Sequence, residues 1–169
     1  MRLELDLDFA SRFAPGEFFF GVANAPYLCE GGFNVPGGPA NNYGVIEASG
    51  KIEKSGETTR FWADPAAHVS LAASLGLNAF RMGLDWSRIQ PSSSLEPHDP
   101  PAWDLSALDR YADIVAMVGA HGMQPIITLH HFTHPAWVGE PFWLGDHGPD
   151  LLVDYEIRVV EEVNERLAS

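Results

Sequence analysis

The chain has 169 residues and is 46% hydrophobic, enough apolar material to fill the core of one ordinary domain. Ten basic residues against 23 acidic ones give a formal charge of −13, which argues against a nucleic-acid backbone or an anionic membrane surface as partner and favours a neutral or cationic ligand. No uninterrupted apolar stretch is long enough to cross a bilayer, and MRLELDLDFASRF lacks the basic and apolar regions of a secretory leader; Cys29, the single cysteine, excludes an intrachain disulfide, so a cytoplasmic location is expected.

The first predicted element is a buried strand, FFFGVA (18–23), bounded by Pro15-Gly16 and by the polar, glycine-rich stretch from Asn24 to Gly44. A helix follows, with Asp64 as its cap, Pro65 in the first position, where a missing N–H costs nothing, and Gly76 as its stop. NAFRMGL (78–84) is the second strand. The next helix is capped by Asp104, carries Leu105, Leu108, Tyr111, Ala112, Val115 and Val118 on one face, and closes at Gly122. PIITLH (125–130) is the third strand, and Leu152, Tyr155, Val159, Val163 and Leu167 mark a third amphipathic helix.

The joints repeat. Gly76-Leu77-Asn78-Ala79 and Gly122-Met123-Gln124-Pro125 each place a helix stop, an apolar residue and an amide before a strand. Apolar strands alternating with helices imply a parallel sheet, in a doubly wound open sheet or in part of a (β/α)₈ barrel. No glycine-rich phosphate fingerprint follows the first strand, which weakens the dinucleotide-binding version of the open sheet. A whole barrel needs about 250 residues. The chain has room for three βα units.

FFFGVANAPYLCEGG (18–32), NAFRMGLDWSRIQP (78–91), the helix from Leu105 to Gly122, PIITLHHFTHPAW (125–137) and FWL (142–144) together resemble, in order, the N-terminal blocks of glycoside hydrolase family 1, the β-glucosidase-type retaining glycosidases. The resemblance implies an α/β fold in which residues 1–169 form one partial domain, the N-terminal three βα units of a (β/α)₈ TIM barrel. It also implies a sugar pocket at the C-terminal ends of the strands and double displacement by two glutamates, with no cofactor and no metal.

Three histidines follow the third strand. Neighbouring residues on a strand point to opposite faces, so His130 and His131 cannot both enter one pocket from regular strand geometry. Read alone, they can equally satisfy backbone groups near the strand end. The resemblance assigns His131 to a hydroxyl of the sugar in the cleaved-residue subsite, and a neutral imidazole, with one donor and one acceptor, suits a hydroxyl that is both. A zinc site from His130, His131 and His134 lacks the helical two-histidine-plus-glutamate arrangement and is set aside. Arg81 lies in an apolar strand, where a guanidinium is expensive unless paired; the resemblance makes it the support of the nucleophilic carboxylate. Trp86 and Arg88 are read as rim packing. Trp137 and Trp143 can stack on a pyranose or pack the rim, and both are taken as substrate contacts.

Glu30 matches the glutamate of the family's Gln-x-Glu-Gly block and is also taken as substrate-binding. Here the block reads Leu28-Cys29-Glu30-Gly31, and the leucine cannot make the hydrogen bonds of the glutamine; hydroxyls left unpaired in a closed pocket cost about 1–3 kcal/mol each. That departure, with Phe132 where a tryptophan is common and Thr133-His134 beside it, puts glucose specificity in question. Neither the Asn-Glu-Pro nor the Glu-Asn-Gly block that would hold the two catalytic glutamates occurs, and Asn164-Glu165-Arg166 falls inside a helix. Glu30, Asp85 and Glu140 are the carboxylates nearest strand ends, with no reason to pair any two. The expected function is retaining β-glycosidase chemistry on a β-glycoside or other saccharide, with the catalytic glutamates outside this chain and the isolated chain inactive. The expected partner is a missing C-terminal barrel half or a further copy of the chain. The alternative is a non-catalytic sugar-binding or assembly module.

Overall fold

The structure, a computed structural model, describes residues 18–139, 141–145 and 148–168. The N-terminal MRLELDLDFASRF and Glu140 lie outside the described residues. Three strands, β1 (Gly21–Ala23), β2 (Ala79–Gly83) and β3 (Gln124–Thr128), pair in parallel in the order β1-β2-β3. Each strand is shorter than its apolar run. Before β1 the pairing continues through Asn78, whose side chain accepts from the Phe20 N–H at 2.7 Å and donates to the Phe18 carbonyl at 2.8 Å. The amide that precedes β2 therefore extends the sheet by a side chain.

Among the described residues six α-helices accompany the strands: α1 (Pro26–Cys29), α2 (Asn42–Ala48), α3 (Pro65–Ser74), α4 (Trp86–Ile89), α5 (Leu105–Ala120) and α6 (Gly148–Ala168). The three long ones, α3, α5 and α6, are the predicted helices. Asp64 accepts from the Ala67 N–H at 3.2 Å and Asp104 from Ser106 and Ala107 at 2.9 and 3.2 Å, the bonds that satisfy otherwise orphaned donors at helix starts. Gly76 and Gly122 take φ of +78° and +76° to end the helices. α1, α2 and α4 are short helices of one to two turns set just after strands or within the long crossover from β1 to α3. Sequence periodicity cannot detect helices of four to seven residues.

Phe80, Met82 and Leu84 face the helices and bury against Val69, Leu108, Tyr111, Val115, Val118, Tyr155, Val159 and Val163. Trp86 lies in this layer and stacks on Tyr155, ring centroids 4.6 Å apart and planes 18° apart. Leu105 departs from its expected position: it opens α5 and is half exposed. Gly83 permits the close approach of α1 to the end of β2, since a Cβ there would stand 2.5 Å from the Pro26 ring.

A buried polar knot ties the strand ends to the helices. The Arg88 guanidinium lies between the rings of Phe33 and Trp62, 4.1 and 4.3 Å from their centroids, and donates to Glu30 Oε2 and to the Gly31 carbonyl, each at 2.5 Å. Tyr111 donates its hydroxyl to Glu30 at 3.0 Å and accepts from the Asp85 N–H at 3.0 Å. Asp85 accepts from the Ser87 N–H at 2.9 Å, from the Ser87 hydroxyl, and from the Thr133 hydroxyl at 2.8 Å. One connected network thus joins α1, α4, α5 and the loop after β3.

Replacing Arg88 by methionine leaves the Glu30 carboxylate buried without its cation and should cost about 3–5 kcal/mol in urea unfolding; a loss below about 1 kcal/mol would show that the pair is dispensable. Burial pushes the Glu30 carboxyl up to about 7 against the opposing pull of Arg88. Between its ordinary value of 4.5 and about 7, the folded chain keeps a proton that the unfolded chain has lost, so this carboxyl removes stability as pH rises through that window. The stability of the native chain minus that of Glu30→Gln should fall across it, by at most about 1.4 kcal/mol per pH unit. A flat difference would mean that Glu30 is ionised throughout.

Candidate functional site

The face of the sheet turned away from the helices carries Arg81, Ile126 and Thr128. Arg81 and Ile126 are register partners, and Thr128, two residues beyond Ile126, pairs with Gly83. Arg81 donates Nε–H to the Thr128 hydroxyl at 2.7 Å, and its Nη2 lies 3.2 Å from His131 Nδ1. An arginine can only donate, so Nδ1 is the acceptor and the neutral ring carries its proton on Nε2. His131 is exposed at the strand ends. Its acceptor is spent on Arg81, leaving Nε2–H to offer a ligand: a donor, not the donor-and-acceptor pair expected from the free imidazole. Arg81 has no carboxylate partner among the described residues, so its guanidinium is available to an anionic group.

The other histidines go elsewhere. His130 is partly buried, its ring edge-on to Trp143 at 5.3 Å and 6.2 Å from the His134 ring. Nε2 of His130 and Nδ1 of His134 are buried without a hydrogen-bond partner. Burial lowers both imidazoles, His134 to about 4, so both are neutral at neutral pH. Among the described residues no three His, Cys, Asp or Glu side chains converge as metal ligands.

Two expected substrate contacts are enclosed in this structure. Glu30 is 2% exposed and both of its oxygens are taken by Arg88 and Tyr111, so a sugar cannot reach it in this arrangement. Trp137 is 3% exposed: the short turn Ala136–Val138 carries the indole inward, where it donates to the Gln90 carbonyl at 3.0 Å and meets Trp86 edge-on at 5.7 Å. A buried indole offers no open face for stacking. Trp143 sits on the turn Phe142–Leu144, leans on Phe142 at 4.6 Å and stays 50% exposed. Asp85 is as buried as Glu30, with its oxygens on Ser87 and Thr133. Neither carboxylate is presented to solvent.

The structure therefore brings Arg81 and His131 together, leaves Trp143 open nearby in the same loop segment, and withdraws Glu30 and Trp137 into the interior. Sequence reasoning missed Thr128, although strand alternation from Ile126 would have put it on the Arg81 face. It also missed the aromatic wall behind His131: Phe132 stands 5.1 Å from the His131 ring and 5.5 Å from Tyr43, and Tyr43 is 4.7 Å from Tyr27. Tyr43 lies in α2, within the glycine-rich crossover that shows no strong period.

The profile of Glycosyl hydrolase family 1 matches residues 10–167. A β-glucosidase-like SFR2 protein of rice, described as chloroplastic, is 35% identical over 109 residues, 64% of this chain and 17% of the relative. The coniferin β-glucosidase of Pinus contorta is 29% identical over 152 residues, 84% of this chain and 27% of the relative. A solved β-glycosidase from Pyrococcus horikoshii superposes with a TM-score of 0.74 at 28% identity, over 90% of this chain and 34% of that one. The chain thus spans about a quarter or less of these curated relatives and a third of the solved enzyme. With the match running over nearly its whole length and the parallel sheet in the expected order, the chain belongs to glycosyl hydrolase family 1, and its three βα units are part of that family's (β/α)₈ barrel.

Proposed function

We propose that this chain supplies the glycone side of a retaining β-glycosidase site and that the two catalytic carboxylates come from barrel units beyond these three. The observation that carries this reading is the Arg81–His131 pair at the C-terminal ends of the strands, on the face turned away from the helices. Active sites of such barrels form at that end. A guanidinium without a carboxylate of its own would orient the nucleophilic carboxylate and keep it ionised. His131 Nε2–H would donate to a sugar hydroxyl, and the open face of Trp143 would take the C–H side of a pyranose. Retaining hydrolysis needs two carboxyls about 5–5.5 Å apart at the scissile bond. Glu30 and Asp85, both enclosed, do not serve as that pair.

The residues 1–169 are read as one partial barrel domain that works in the cytoplasm on a β-glycoside. The reading of a reducing compartment draws on Cys29 being the single cysteine of the 169 residues. The alternative, a sugar-binding module without catalysis, draws on the same enclosure of the carboxylates. The two differ in what the remaining units add.

The isolated chain should show no turnover of a chromogenic β-glucoside, and hydrolysis by it alone would place the catalytic carboxylates within these residues. In a barrel completed by the remaining five units, His131→Ala should lower kcat/KM about tenfold, the loss of one net hydrogen bond. Arg81→Met, which removes a charge-assisted contact to the nucleophile, should lower it about 100-fold, mainly in kcat. A completed barrel that binds saccharide but never hydrolyses it would favour the binding module.

A further inference from the structure

Beside α2 lies a cavity of about 300 Å³, walled by residues 34–38, by one side of the helix and by Ser93 and Leu95. The loop in this wall is held firmly. Asn34 takes a left-handed φ of +56°, uncommon for a residue other than glycine, and three bonds fix it there: its side chain accepts from the Asn41 N–H at 2.9 Å and donates to Asn41 Oδ1 at 3.0 Å, and its own N–H donates to the Pro39 carbonyl at 3.0 Å. Glu47 of α2 lines the cavity and is 7% exposed. Its Oε1 accepts from the Tyr27 hydroxyl and from the Ser55 N–H, both at 2.8 Å, which sets the plane of the carboxylate. Oε2 accepts from no described residue, yet it is not sealed from solvent, and the cavity is the opening that Glu47 lines. Glu47 has no ion pair among the described residues. A carboxylate enclosed this far without a cation is unfavourable, and a ligand cation at Oε2 would relieve it. Lys54 lines the same cavity, is exposed, and has no ion pair either. The cavity thus holds one fixed negative group and one mobile positive group, with Val35, Pro36 and Leu95 as apolar wall.

We propose that this cavity binds a small zwitterion, an amino-acid-sized molecule whose ammonium meets Glu47 Oε2 and whose carboxylate meets Lys54. A plain anion would face Glu47 and the overall charge of −13, and a plain cation would face Lys54. A molecule carrying both signs satisfies both groups with charge-assisted hydrogen bonds and is selected against the other two by repulsion. The volume is at the lower end for ligand sites, which suits a molecule of this size. The lysine stem is flexible and accepts more than one separation of the two charges. Arg81, His131 and Trp143 line no part of the cavity, so its occupancy does not depend on the glycosidase reading.

The test titrates the 169-residue chain calorimetrically with glycine, β-alanine, γ-aminobutyrate and δ-aminovalerate, and with butylammonium and butyrate as controls of single charge. The best of the zwitterions should bind about tenfold or more tightly than either control. Glu47→Gln keeps an oxygen for Tyr27 and Ser55 and should weaken that zwitterion about tenfold. Lys54→Ala should weaken it about fivefold and leave butylammonium unchanged or tighter. Lys54 is exposed, so circular dichroism of its variant should match that of the native chain, and this variant decides the matter if Glu47→Gln fails to fold. The proposal is overturned if none of the zwitterions binds, if butylammonium or butyrate binds as tightly as the best of them, or if the zwitterion keeps its native affinity in a folded variant of either residue.

Discussion

The Glu30–Arg88 pair is the contact on which the arrangement of the strand ends depends. Both side chains are almost wholly enclosed, and a charge taken from water into a protein interior is tolerated only with a partner and with its remaining hydrogen-bonding capacity filled. Here the filling is thorough. Glu30 receives Tyr111 as well as Arg88, and Arg88 reaches the Gly31 carbonyl between two aromatic faces. Each partner comes from a different element, so satisfying the charge also fixes where α1, α4 and α5 sit at the C-terminal ends of β1 and β2.

That knot reaches the candidate site through Asp85. Its carboxylate holds the Thr133 hydroxyl, two residues beyond His131, while the Asp85 backbone is held by Tyr111. The loop after β3 is therefore pinned to the end of β2, the strand that carries Arg81. The short separation of Arg81 and His131 follows from two constraints, strand register through Thr128 and loop anchorage through Thr133. Side chains mounted on such a framework lose little freedom on binding a ligand, which is the physical value of pre-organisation.

Glu30 and Asp85 hold the framework together, their oxygens on Arg88, Tyr111, Ser87 and Thr133. The proposed function divides the site between units: one set of residues presents donors and an aromatic face, and the reactive carboxylates belong to another set. Such a division suits a barrel, in which every strand contributes its C-terminal end to one shared pocket.

The sequence by itself determined the three βα units, their order, the caps at Asp64 and Asp104, the glycine stops and the family, because these depend on local backbone chemistry and on motifs contiguous in the chain. It also singled out Arg81, as a charge in an apolar strand, and His131, by its place in a motif. Only the tertiary structure decided which of the remaining polar and aromatic residues stay exposed at the strand ends. Glu30 and Trp137 carry the chemistry of sugar contacts and sit in the right blocks, yet they are enclosed by Arg88 and Tyr111 and by Trp86 and the Gln90 carbonyl, partners that lie 58, 81, 51 and 47 residues away along the chain. Burial is a sum over contacts remote in the chain, and no local pattern encodes it. The same holds for the His131 ring: its type promised a donor and an acceptor, and the fold, by placing Arg81 beside Nδ1, left it the donor alone.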